Sequence, residues 1–67
     1  MERQLQRNIG RTVEIIYLGS DNKVTQRLID VHSVNDGIVK AYCHERRAPR
    51  VFKTANILAV SSRKWAG

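Results

Sequence analysis

A ten-residue segment in the second half of the chain concentrates the residue types that bind anions. Positions 44–53 contain four Lys or Arg and one Glu, a net charge of +3 in a chain whose total is +6. Three of these cations are arginines, Arg46, Arg47 and Arg50, and the planar guanidinium group suits bidentate recognition of phosphate. We therefore expect at least one of them to bind an anion. The alternative is a structural arginine held by a nearby carboxylate, that of Glu45, Glu14 or Asp30.

The residues just before this segment form a second candidate surface. Lys40, Tyr42 and His44 alternate with small or apolar residues at 39, 41 and 43. Successive side chains of a strand point to opposite faces, so an inward-facing apolar set leaves the other three in one outward row. A cation, an aromatic ring and an imidazole in a row suit a phosphate and a stacked base. The alternative is an ordinary solvated face of a sheet.

Catalysis and metal binding are not expected. Cys43 and His44 are adjacent, so in a strand they face opposite sides and His44 cannot activate the thiol. His32, His44 and the single cysteine do not make a standard zinc set, and the chain contains no glycine-rich phosphate loop. We therefore predict a protein that is not an enzyme and needs neither a metal nor another cofactor.

Length and composition limit the class of protein. A chain of 67 residues with 42% hydrophobic content is expected to form one small domain, residues 1–67, with a single core. One cysteine excludes an internal disulfide. The apolar runs are far shorter than the ~20 residues that cross a bilayer, and the N-terminus does not resemble a signal peptide. We therefore expect a cytoplasmic protein without a membrane partner, whose basic charge favours polyanions.

The apolar pattern predicts an all-β fold after a short helix. Leu5 and Ile9 share one face of a helix over 1–10, and Gly10 suits its C-terminal cap. Strands are expected at 12–18, 24–34, 38–44, 50–53 and 57–60. The alternation in the second strand changes phase, which predicts a bulge or bend near Asp30. The triplet Asn35-Asp36-Gly37 predicts a tight hairpin turn.

Five short strands joined by tight turns predict a small barrel of Sm-like or SH3-like shape over residues 12–60. Closure into a barrel would also remove the unpaired edges that make a β-rich chain aggregate. Residues 61–67 are expected to form a polar tail. Trp65 is expected to lie in a disordered tail. The alternatives are that its ring caps the barrel or stacks on a base.

These residues resemble the WYL domain family of small Sm-like β-barrels, from about Val13 to Val60. The resemblance lies in four runs, which are the first strand ending in Tyr17, Arg27-Leu28-Ile29, Ala41-Tyr42-Cys43, and Arg50-Val51-Phe52 followed by Ile57. The chain departs from the family pattern where the family has Trp-Tyr-Leu, a proline and a basic residue, here Gly37-Ile38-Val39, Val31 and Asn56.

The resemblance implies a function as well as a fold. WYL domains commonly follow a DNA-binding helix-turn-helix in bacterial transcription regulators, where they are thought to sense nucleic acid or nucleotide-like ligands through basic residues. The chain is then expected to be a free-standing bacterial module that binds single-stranded DNA or RNA or a nucleotide. The resemblance adds Arg27 to the candidate residues, with a cross-strand pair to an acid as the alternative.

Two other functions are compatible with the sequence. The first is a module that binds a regulator protein or another copy of itself through apolar residues, namely Ile16, Leu18, Ile38 and Trp65, since burial in an oligomer would stabilise so small a domain. The second is an Sm-like ring that binds RNA, which requires both self-association and affinity for RNA.

Overall fold

The computed structural model describes residues 2–62 as one short helix and five strands. The helix is α1 (Glu2–Gln6), and the strands are β1 (Thr12–Leu18), β2 (Val24–Asn35), β3 (Ile38–Cys43), β4 (Ala48–Lys53) and β5 (Ile57–Ser62), with a 3-10 turn at Thr54–Asn56. All strand pairs are antiparallel, in the order β4-β3-β2-β1-β5. The predicted all-β fold with an N-terminal helix is confirmed. Residues 2–62 include no helix with the length and apolar content needed to cross a membrane.

Several elements have bounds that differ from the predicted ones. Helix α1 ends at Gln6, and a turn leads to Gly10, whose φ is 84°. Strand β4 begins at Ala48 and contains Pro49, which is tolerated because β4 is an edge strand. Strand β5 continues to Ser62, so the first two residues of the predicted tail belong to the sheet. The rest of that tail, 63–67 with its tryptophan, lies outside the described residues.

One face of the sheet forms the core. Leu5 of α1 is fully buried and packs into this core beside the strands. The predicted inward positions in β3 and β4 are buried as expected, with Val39 and Cys43 at 0% exposure, Ala41 at 2% and Phe52 at 3%. The remaining core side chains come from β1, β2 and β5, namely Val13, Ile15, Ile29, Val31, Val34 and Ile57.

A bulge in β2 keeps this long strand in contact with a single core. Val31 pairs with Ala41, whereas Ser33 pairs with the preceding residue of β3, so His32 is the extra residue. The buried positions shift phase accordingly, from Ile29 and Val31 before the bulge to Val34 after it. The irregularity predicted near Asp30 therefore lies at His32. This extra residue explains why polar and apolar residues do not alternate regularly along β2.

The sheet is strongly curled. The rings of Tyr17 in β1 and Phe52 in β4 meet edge to face with centroids 5.0 Å apart. Three strand spacings of a flat sheet would put them about 14 Å apart. The N–H of Lys53 also donates to the Tyr17 hydroxyl at 3.2 Å. Strand β4 thus folds over the end of β1, but within residues 2–62 the edges β4 and β5 do not pair, so a closed barrel is not confirmed.

The turn between β2 and β3 connects three parts of the chain. Asn35 pairs with Ile38, which leaves Asp36 and Gly37 as a two-residue loop with φ of 51° and 75°. Two positive φ angles define the type I′ turn of tight hairpins, as predicted. The Gly37 N–H donates to the Glu2 carboxylate at 3.0 Å, and the Gly37 carbonyl accepts from the Thr54 N–H at 2.9 Å. The helix and the 3-10 turn are thereby attached to this hairpin.

We expect Gly37→Ala to lower the free energy of unfolding by about 1–2 kcal/mol, because a Cβ is unfavourable in the left-handed region. Space does not limit the substitution, since the nearest atom to an added Cβ is 3.7 Å away. Asp36→Asn is the control, because asparagine readily adopts a positive φ. Urea denaturation measures both variants, and wild-type stability of Gly37→Ala would contradict the turn assignment.

Candidate anion-binding site

Two arginines stand on the core face of the sheet. Arg27 in β2 pairs with the buried Ile15, and Arg50 in β4 pairs with the buried Ala41. Directly paired residues project from the same face of a sheet. Arg27 and Arg50 therefore point to the side that holds the core, and they lie where that face meets solvent.

The curl of the sheet makes this margin concave. It encloses a cavity of about 450 Å³, called the basic cleft, whose lining includes four cations, Arg27, Arg46, Arg50 and Lys53. The aromatic pair Tyr17 and Phe52 also lines it. This volume is in the range of small-molecule binding sites. The cleft thus combines positive charge with one partly accessible aromatic ring, that of Tyr17.

The turn between β1 and β2 supplies another part of the cleft. Ser20 and Asp21 line it, together with Asn56 of the 3-10 turn. The Asp21 carboxylate accepts from the Lys23 N–H at 3.2 Å, which orders the turn. Asp21 is the one acid among the lining residues, against four cations, so the cleft carries a net positive charge.

Arg27 is the least exposed cation of the cleft. Its side chain is 17% exposed, its Nε donates to the Thr25 hydroxyl at 3.2 Å, and its Nη1 lies 3.4 Å from the Glu45 carboxylate. Glu45 is itself 65% exposed. Ion pairs so open to solvent contribute about 0–1 kcal/mol. Glu45 therefore orients Arg27 with a contact that a stronger anion can displace.

The loop 44–47 between β3 and β4 brings Arg46 to the cleft. The His44 N–H donates to the Leu28 carbonyl at 3.0 Å, which fixes the start of the loop against β2. Arg47 has a φ of 54°, in the left-handed region, and this turns the chain back into β4. Arg46 consequently lines the cleft, whereas Arg47 is exposed and lines neither this cavity nor the one described below.

The outer face of the sheet holds the predicted row of Lys40, Tyr42 and His44. His44 Nε2 lies 2.8 Å from the Asp30 carboxylate, and the rings of Tyr42 and His44 meet edge to face at 5.7 Å. Asp30 also accepts from the Thr12 hydroxyl at 2.5 Å. The Asp30 carboxylate of β2 therefore lies beside this row, and His44 is hydrogen-bonded to it.

The structure divides the seven predicted site residues into two groups and one remainder. Arg27, Arg46 and Arg50 meet in the basic cleft, Lys40, Tyr42 and His44 share the outer face, and Arg47 belongs to neither group. Lys53 and Tyr17 are cleft residues that are not among the predicted site residues. Lys53 was already counted in the +3 segment, and Tyr17 has the same strand parity as the core residue Ile15.

The acids that could have neutralised the arginine segment have other partners. Glu45 contacts Arg27, Asp30 contacts His44 and Thr12, and Glu14 accepts from the Gln26 amide. Within residues 2–62, no carboxylate lies at ion-pair distance from the three arginines of the segment, Arg46, Arg47 and Arg50. Among these residues, no carboxylate in direct contact neutralises the charge of the three arginines.

The described residues offer no metal centre. Across 2–62, no group of three His, Cys, Asp or Glu side chains is placed to hold an ion. Cys43 is buried on the core face and His44 is exposed on the outer one, the opposite orientation expected for neighbours in a strand.

No protein-family model matches the chain, and no curated protein matches its sequence. The interpretation of the site therefore depends on its geometry.

Asp30 is expected to make the free energy of unfolding depend on pH in the acid range. The hydrogen bond from Thr12, and then that from His44, hold the pKa of Asp30 below its ordinary value, against a smaller opposing effect of burial and with still smaller effects of the His44 and His32 charges. A lowered folded-state pKa contributes stability that is complete above the ordinary value of about 3.9 and disappears as the pH falls through the folded value. We expect Asp30→Asn to flatten the loss of unfolding free energy below about pH 4.

Urea denaturation at a series of pH values from neutral to strongly acidic measures this effect. Asp36→Asn, which removes a carboxylate from the exposed β2–β3 turn, is the matched control. Curves for wild type and Asp30→Asn that run parallel through the acid range would show that the Thr12 and His44 contacts do not stabilise the folded carboxylate.

Proposed function

We propose that this chain is a non-catalytic binding module for a phosphate-bearing ligand, either a nucleotide or a single-stranded nucleic acid. The basic cleft carries the proposal, because four cations converge on a cavity of about 450 Å³. Arg46, Arg50 and Lys53 are exposed, and within residues 2–62 none of them is in an ion pair. An anion can therefore bind them without first displacing a carboxylate.

The lining of the cleft suits the parts of a nucleotide. Guanidinium forks bind phosphate oxygens in bidentate fashion, and Arg46 and Arg50 supply two of them. The half-buried Tyr17 ring offers surface for a base, and the buried Phe52 ring packs against it and holds it in place. Ser20, Asp21 and Asn56 supply the donors and acceptors that a sugar hydroxyl or a base edge requires.

The WYL-like runs of the sequence include two of the cleft residues, although no family model matches the chain. Two of these runs, Arg27-Leu28-Ile29 and Arg50-Val51-Phe52, each place their arginine in the cleft. We also propose that the curled sheet is a small barrel of the Sm-like or SH3-like kind, which the contact between Tyr17 and Phe52 supports. A role in bacterial transcription regulation follows from the resemblance as part of this proposal, and a cytoplasmic location is proposed together with it.

The second candidate function is association with another protein or with a second copy. The edge strands β4 and β5 carry exposed apolar residues, Val51 at 58% and Leu58 at 51% exposure. An edge with unpaired backbone groups can add a strand from another chain. The residues predicted for this role, Ile16, Leu18 and Ile38, are half-buried. A strictly monomeric chain in sedimentation at high concentration would remove the self-association form of this function.

We expect Arg50→Gln to weaken the binding of uridine monophosphate about tenfold, since losing one charge-assisted hydrogen bond costs roughly 1.5 kcal/mol. Arg47→Gln is a closely matched control because it removes the same charge from the same segment outside the cleft. Calorimetric titration at low and moderate salt measures both variants. Equal losses of affinity in the two variants would show that binding depends only on the net charge of the segment. Absence of binding by the wild type at low salt would contradict the proposal.

Glu45→Gln is expected to strengthen the binding of the same nucleotide by up to about fivefold, because Arg27 loses a competing carboxylate worth roughly 0.2–1 kcal/mol. The control is Asp36→Asn, which changes the net charge equally in a turn that does not line the cleft. An equal gain in both variants would assign the effect to net charge and would exclude local competition at Arg27.

A further inference from the structure

A second concave surface lies on the outer face beside the edge strand β4. This cavity of about 400 Å³, called the outer depression, is lined by His32, Lys40 and Arg50 together with Ala41, Pro49 and Val51. Val51 is 58% exposed, and Pro49 is also exposed. The outer depression therefore places cations around apolar surface.

Arg50 lines both the basic cleft and the outer depression. The two cavities are thus neighbours across β4. Because β4 is an edge of the sheet, no further strand of residues 2–62 lies beside it to block the way from one cavity to the other. A ligand in the cleft can continue around this edge, with Arg50 in contact along the way.

We infer that the ligand is a single-stranded oligonucleotide that runs from the basic cleft around β4 into the outer depression. This inference rests on the proposed function and narrows it, since a mononucleotide fills one cavity only. Consecutive phosphates would meet Arg46 and Arg50 first and Lys40 next, with His32 beside it. Single strands suit this path because their backbone is flexible and their bases are free to contact apolar surface.

Asp21 lines the basic cleft and Glu45 contacts Arg27, but the four cations of the cleft outnumber these two carboxylates. Asp30 belongs to the outer face, but it accepts hydrogen bonds from Thr12 and His44. It does not line the outer depression, and neither does any other Asp or Glu. The outer depression therefore carries a positive charge of its own. Lys40 supplies this charge, since it lines the outer depression and not the basic cleft.

The experiment compares uridine monophosphate with oligothymidylates of two to about eight nucleotides, a range that includes the lower part of the ~4–16 nucleotides that a single-strand binding fold covers. Affinity should rise with length over the first few nucleotides and then level off. Lys40→Gln should weaken the longer oligonucleotide about three- to tenfold and reduce the slope of log affinity against log salt by about 0.7, with nucleotide binding unchanged. Arg3→Gln, on the exposed face of α1, is the charge-matched control.

The possible outcomes distinguish a failure of this inference from a failure of the proposed function. If the nucleotide binds but affinity does not grow with length, or if Lys40→Gln and Arg3→Gln weaken the oligonucleotide equally, the second cavity is not part of the site and the proposed function survives alone. If neither ligand binds wild type at low salt, the proposed function and this inference fail together. Thermal unfolding of both variants confirms that the fold is retained.

Discussion

The pleat of the long central strand β2 is the constraint on which the rest of the structure depends. It places Arg27, Ile29 and Val31 on one face, so the face that builds the core also carries the first cation of the site. The strand pairs with β1 on one side and β3 on the other, and the bulge at His32 restores burial at Val34. A slip of one residue in this register would exchange the faces and bury the outer polar set.

The curl of the sheet turns this face into a cavity. The contact between Tyr17 and Phe52 brings β4 over β1, although two strands separate them in the sheet. That contact completes the core at its margin and positions Arg50 and Lys53 opposite the β1–β2 turn. The packing of these two rings therefore contributes both to the core and to the shape of the basic cleft, and a loss of either ring would disturb both.

Much of the fold could be predicted because it is encoded locally. Alternating apolar residues fix the strands and their buried faces, and Asp36-Gly37 fixes a turn whose positive φ angles few other residues adopt. The bulge was recognisable as a phase change, but its position at His32 depends on pairing with β3, which sequence alone does not specify. The charge of the segment 44–53 was visible, whereas the contacts of Glu45 with Arg27 and of His44 with Asp30 join residues distant in sequence.

The sequence by itself determined the element types, the inward set of β3 and the excess of positive charge, because side-chain period, turn chemistry and charge are properties of neighbouring residues. Only the tertiary structure decided which cations lie together. Strand pairing and curl bring Arg27, Arg46, Arg50 and Lys53 into one cleft, send Lys40 and His44 to the opposite face and leave Arg47 apart. The physical reason is that a site is formed by the three-dimensional proximity of distant segments, which depends on register and twist as well as on local preference.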